Sequence, residues 1–270
     1  MGSTVQIYSR GAMALAVAGL LLGGCQSKTA SLDADPMSDS LSDSMSTAST
    51  GVAGPSFKKT EALSRQWKSD PTQVKIAMAY ADNLEQLGQK PTQINVLRST
   101  VEKTRGNAEA QAQLGRALLK AGDVEGATDA LSTAVALNPR DPLALSALGA
   151  TLDQQTKHVE AREKYMAALA IAPDNLGVMN NLAMSYSLQG KLPEAEATLR
   201  KAMTHPKANT TPRIRQNLAL VVGLQGRFDE AKTIASEDLP PDEVAANMAY
   251  LQQMLASNNT WAKLKQDPAG

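Results

Sequence analysis

The sequence predicts an all-α chain, a superhelical solenoid of stacked helix-turn-helix units. Three observations predict it. Apolar and small residues recur at a fixed period of 34 residues through the middle of the chain. Within each period they fall three or four apart, which places them on one face of a helix. Aromatic residues are only 3% of the 270 residues while Ala is abundant, a composition that suits close helix packing better than a sheet. Such a stack grows unit by unit, because each unit buries its apolar face against the next.

Before the repeats come two segments of another kind. Residues 1–24 run from a polar start with the single charge of Arg10 through the apolar stretch Ala12–Leu22, the parts of a secretory signal peptide. That stretch is shorter than the roughly 20 residues a spanning helix needs. It ends in Leu22-Gly23-Gly24-Cys25, which resembles a bacterial lipobox. The resemblance implies cleavage before Cys25 and covalent lipid on this residue, with no other cofactor expected. Two or three acyl chains, at about 0.8 kcal/mol per buried CH₂, hold a protein on a membrane. By the enterobacterial pattern, Gln26 rather than Asp after the Cys points to the outer membrane, on its periplasmic face. Residues 25–56 read as a tether: between Gln26 and Gly54 there are four Asp, one Lys and no aromatic residue, too little apolar surface to offset the entropy of ordering.

Residues 57–256 are expected to fold. Lys58–Ser69 reads as a lone helix, with Trp67 covering the open end of the stack. Units follow near 74–107, 108–141, 142–175, 176–209 and 212–241, then a capping helix at 242–256 and a loose tail at 257–270. The third unit is the clearest: Leu148, Gly149, Leu152, Ala161, Tyr165, Ala168 and Pro173 occupy the places of the W-x₂-L-G-x₂-Y…A-x₃-F…P pattern. It resembles a tetratricopeptide repeat. The second unit repeats the pattern with Leu114, Gly115, Leu118, Ala127, Leu131 and Ala134, and the fourth with Leu182, Ala183, Tyr186, Ala195, Leu199 and Ala202. In the first unit Gln93 and Thr100 replace small residues, so its packing is expected to be looser. The fifth starts late and is cut short by Pro240-Pro241, and Asp242 is the expected N-cap of the helix carrying Val244, Met248, Leu251 and Leu255.

The turn between the two helices favours Gly, which adopts the left-handed conformation with little strain. Gly88, Gly122, Gly190 and Gly226 hold this position, but the third unit has Thr156. Either Thr156 takes the strained conformation or Gln155–His158 makes another turn. His158 reads as an exposed turn residue.

In tetratricopeptide arrays the first helices line a concave groove, and the resemblance implies which positions face it. Carried over, they include Arg116 and Lys120 in the second unit, Asp153 in the third, Asn180, Asn181 and Met184 in the fourth, and Arg213, Gln216, Asn217 and Leu220 in the fifth. Amides would bond a partner's backbone while Met and Leu offer adaptable apolar contact. The competing explanation for the asparagines is local capping and turn chemistry. Of the residues that hold a C-terminal carboxylate in some of these proteins only Asn181 and Arg213 have counterparts, so no carboxylate clamp is read.

No nucleophile motif, phosphate-binding loop or metal-ligand spacing appears, and an enzyme is not expected. Lys plus Arg equals Asp plus Glu at 27 each, which gives no global field toward nucleic acid. The stretches NLALVVGLQGRFDEA (217–231) and DLPPDEVAANMAYLQQML (238–255) resemble the C-terminal part of the Flp, or tight-adherence, pilus assembly protein TadD family. That resemblance implies a non-enzymatic scaffold that supports assembly of the pilus secretion machine, a pilotin-like partner of its outer-membrane secretin. The alternative is an adaptor for another envelope machine, such as a periplasmic protease or an outer-membrane protein assembly complex.

Overall fold

A computed structural model describes residues 57–208 and 211–266, with side chains as far as Ser257. Cys25, its signal, the tether and the side chain of Trp261 lie outside the described residues. Twelve helices and no strand occur among those residues. They are α1 (Phe57–Ser69), α2 (Val74–Gln86), α3 (Lys90–Lys103), α4 (Ala108–Ala121), α5 (Val124–Leu137), α6 (Pro142–Gln154), α7 (His158–Ile171), α8 (Leu176–Leu188), α9 (Leu192–Met203), α10 (Pro212–Leu224), α11 (Phe228–Ala235) and α12 (Pro241–Gln266).

The helix starts are written in the last residue of the preceding unit. Asn107, Asp141 and Asn175 each accept a hydrogen bond from a backbone N–H of the first turn, that of Ala110, Ala144 and Val178 at 2.9, 3.1 and 3.1 Å. This satisfies one of the donors a helix N-terminus leaves open. At the inner turns the chain closes by a bond from a backbone N–H just past the turn to the carbonyl five residues earlier. Asp123 donates to Leu118 at 3.0 Å and Lys157 to Leu152 at 2.9 Å. Thr156 therefore makes the same turn as the glycines: its φ is 62°, against 86° at Gly122 and 76° at Gly190. It is the single non-Gly residue with positive φ among the described residues, and a β-branched one, for which this conformation is strained.

The second and third units are each held by a large residue of the second helix lying on a glycine of the first. A Cβ built on Gly149 would stand 2.7 Å from the Tyr165 ring, and one on Gly115 would stand 2.5 Å from Leu131. Only the absence of a side chain lets these helices approach so closely. In the first unit, whose two helices touch less than those of the second and third, Gln93 and Thr100 are buried with their polarity matched: Gln93 donates to Glu85 at 3.2 Å and Thr100 receives the Trp67 indole N–H at 3.1 Å.

Helices pack in chain order, and in addition α2 meets α4, α4 meets α6, α6 meets α8, and α8 meets α10, whereas the second helices of successive units stay further apart. The first helices thus form the inner, concave wall. The apolar core divides along α8: Val178 and Leu182 join the cluster of the preceding units, Met179 and Ala183 that of the following ones. The final helix opens at Pro241, which puts Asp242 inside the first turn instead of at the cap, and it continues past Ala256 to Gln266. Its Val244, Met248 and Leu251 are buried, and Leu251 fills the space over Gly223.

Candidate partner-binding surface

The concave wall carries the residues expected to meet a partner, and the structure sorts them into two groups. Arg213 and Gln216 are exposed and Leu220 is half-buried on α10. The others are drawn into contacts within the protein.

Asn180 and Asn217 are the clearest correction. Asn217 Nδ2 donates to Asn180 Oδ1 at 2.6 Å, and the two are only 3% and 7% exposed. They join α8 to α10 from within the wall and do not present free amides. One step back, Asn181 Nδ2 lies 3.3 Å from Ser146 Oγ and links α8 to α6. Met184 is also buried. The physical reason is shared: neighbouring first helices touch, so a polar side chain near the seam meets the next helix before it meets solvent.

Asp153 is the hub of a second internal cluster. His158 Nδ1 and Ser185 Oγ each lie 2.8 Å from Asp153 Oδ1, and Tyr165 donates to Oδ2 at 3.0 Å. A carboxylate has no proton to give, so Nδ1 carries the hydrogen. Burial, with the Asp153 charge and its hydrogen bond added, pushes the Tyr165 hydroxyl well above its ordinary pKa, which keeps it a donor. His158 is therefore not an exposed turn residue: it opens α7, and its ring is packed on Asp153 across the strained turn.

Arg116 and Lys120 bind α4 to α2. Lys120 pairs with Glu85, and Gln113, bonded to Arg116, donates to Asp82 at 2.6 Å. Partial burial and the nearby Glu85 charge raise the Asp82 pKa, while the hydrogen bond from Lys120 holds the Glu85 carboxyl below its usual value.

Two buried cations were not foreseen. Arg162 on α7 donates to Gln189 Oε1 at 2.8 Å and stands 5.0 Å from the Tyr186 ring centroid. Arg215 on α10 pairs with Asp238 and with Glu237, the latter at 2.9 Å. The corresponding places in other units carry varied residue types, so no sequence signal marked either. Leu143, on the first helix of the third unit and 56% exposed, is an uncovered apolar residue that the expected contacts did not include. What remains open on the wall is thus Lys120, exposed beside its partner Glu85, in the second unit, Leu143 with half-buried Ala147 and Ala150 in the third, half-buried Leu188 in the fourth, and Arg213, Gln216 and half-buried Leu220 in the fifth. This strip offers apolar contact and few charges, chemistry suited to a peptide segment.

Among the described residues no group of His, Cys, Asp and Glu is placed to hold a metal, and no helix is long and apolar enough to cross a membrane. Residues 112–176 and 176–204 match two family models of the tetratricopeptide repeat. A "TPR repeat-containing protein PA4667" of Pseudomonas aeruginosa is 39% identical over 70 residues, 26% of this chain and 12% of that protein. A human "Protein O-mannosyl-transferase TMTC1" is 26% identical over 166 residues, 60% of this chain and 19% of that protein. This chain therefore spans a minor part of either relative. Among solved structures, TTC0263, a thermophilic TPR protein of Thermus thermophilus, superposes with a TM-score of 0.54 at 24% identity over 69% of this chain and 99% of that one. Residues 112–204 thus carry tetratricopeptide repeats, and the fold of the described residues is a tetratricopeptide-repeat solenoid.

Proposed function

We propose that this chain is a lipid-anchored, non-enzymatic scaffold of the bacterial envelope that supports assembly of the Flp pilus secretion machine, as a pilotin-like partner of its secretin. The observation that carries the scaffold reading is the concave wall of first helices, where Leu143, Leu188, Leu220, Arg213 and Gln216 are left uncovered while the neighbouring polar side chains are satisfied internally. The pilus reading draws on the stretches 217–231 and 238–255, which form the last hairpin and its covering helix. The lipobox at Cys25 supports placement on the periplasmic face of the outer membrane. Such a protein works by position: the acyl anchor fixes it at the bilayer, the tether gives it reach, and the groove holds a segment of its partner.

Crosslinking with mass spectrometry in cells tests this directly. Crosslinks from α10 to the secretin are expected, and their loss on combining Arg213→Glu with Leu220→Ala. Crosslinks to an envelope protease or to the outer-membrane assembly machinery alone would replace the pilus reading with an adaptor role there. For the anchor, Cys25→Ser is expected to leave the chain unlipidated and removable from membranes by a salt wash.

A further inference from the structure

The first helix ends the stack, and its two sides differ. Its inner side is held by Trp67, whose ring lies 6.0 Å from that of Tyr80, and by Thr60, which accepts from Asn83 Nδ2 at 2.6 Å. No residue of α1 is fully buried. On its outer side Phe57, Lys58, Arg65 and Lys68 are exposed, Phe57 at 75%. At about 100° per residue they fall within an arc of about 100°. Glu61 shares the arc and is paired with Arg65 at 3.2 Å, which leaves the face cationic with one large apolar residue at its edge.

At the other end of the stack Glu237 and Asp238 pair with Arg215, just ahead of Asp242 and Glu243 in the first turn of α12. A cationic helix face such as that of α1 is drawn toward an anionic surface.

We propose that the outer face of α1 docks on the anionic phospholipid of the membrane that carries the protein. This rests on the reading of Cys25 as the lipid anchor. The described chain begins at Phe57, 31 residues (26–56) beyond Cys25, so α1 is the first described helix after the anchor. Thirty-one residues cannot span more than about 110 Å even fully extended, which keeps α1 at a raised effective concentration over the lipid. A weak attraction then suffices: acyl chains and a basic patch act as two signals for one surface. Docking by this face leaves the open groove residues of α10, which lie toward the other end of the stack, free to meet a partner.

The test uses the full lipidated chain in vesicles, with a donor fluorophore on Ser69→Cys at the end of α1 and an acceptor on lipid headgroups. Energy transfer is expected to be at least about two-fold higher on vesicles of phosphatidylcholine with phosphatidylglycerol than on phosphatidylcholine alone. The gain should vanish at about 0.5 M NaCl, where the screening length is only a few ångströms. It should also vanish in Lys58→Glu/Arg65→Glu/Lys68→Glu, whose melting curve should match the parent because these side chains are exposed. A donor on Ser257→Cys should show no such gain. Equal transfer on both lipid compositions, or a triple variant that keeps the gain, would overturn the proposal. So would loss of a crosslinked protein from the triple variant without any lipid dependence, since the face would then belong to a protein. Flotation with pure phosphatidylcholine vesicles in high salt reports the anchor alone. Its absence would sink the anchor reading, while flat transfer with flotation intact would sink this one.

Discussion

The third and fifth units start from the same template and diverge. The third (residues 142–175) keeps every packing position: Tyr165 lies on Gly149 and is locked by Asp153, which also gathers His158 and Ser185. The fifth has Ala235 at the place of Tyr165, a second helix of only eight residues, and a separate helix, α12, whose Leu251 covers Gly223. In the third unit polar groups turn inward and tie it to the fourth. In the fifth, Arg213, Gln216 and Leu220 are left facing out. In these two units closeness to the template goes with a polar cluster turned inward, and departure from it with the exposed Arg213 and Gln216.

The comparison can be broken most sharply at Tyr165. Tyr165→Ala removes the third unit's largest core side chain and one donor to Asp153, and a loss of about 3–5 kcal/mol is expected in urea unfolding. A loss under about 1 kcal/mol would mean that the cluster does not hold the middle of the stack. Next is the seam between the fourth and fifth units. Asn217→Ala leaves the buried Asn180 carbonyl oxygen without its donor and should cost about 1–3 kcal/mol, whereas Gln216→Ala, one residue away and exposed, should change stability by less than about 0.5 kcal/mol. Equal effects at the two positions would refute the sorting of the wall into internal and open residues.

A smaller effect of opposite sign is expected at the strained turn. Thr156→Gly should stabilise the chain by about 1 kcal/mol, read as a higher urea midpoint, since it relieves a conformation costly to a β-branched residue. The smallest effect concerns the ion pairs that join the fourth unit to the fifth. Partial burial of Glu196 is outweighed by hydrogen bonds from Gln225, Arg200 and Arg227, which hold its carboxyl below the ordinary value. The folded state thus binds this proton more weakly than the unfolded chain. The resulting stability is present above the unfolded pKa and is lost as pH falls through the folded one. Because the network is exposed, the difference between pH 7 and acid should be only a few tenths of a kcal/mol. Glu196→Gln should flatten it, as should salt, while hydrogen exchange around Tyr165 should not respond to either.

Much of this architecture could be read from residue spacing alone. Leu148, Leu152, Ala161 and Tyr165 state which helix faces meet, because a repeat of fixed length requires the same small and large residues at the same places. The conformation of Thr156 follows from its alignment with four glycines, although the spacing left a second turn possible. The site was less legible. Position on the template assigned Asn180, Asn181, Asn217 and Asp153 to the concave side, and they do lie on the first helices. Their availability was another matter, because a side chain on that wall is shared with the next unit.

The sequence by itself determined the solenoid, its period and the helix that caps each end. All of these depend on contacts within one unit or between identical positions of adjacent units. Only the tertiary structure decided that Asn217 spends its amide on Asn180, that His158 closes on Asp153, and that Arg162 and Arg215 are buried. Those pairings depend on the rotation of each helix about its axis and on the distance to its neighbour, which differ from one joint to the next and leave no trace in the period.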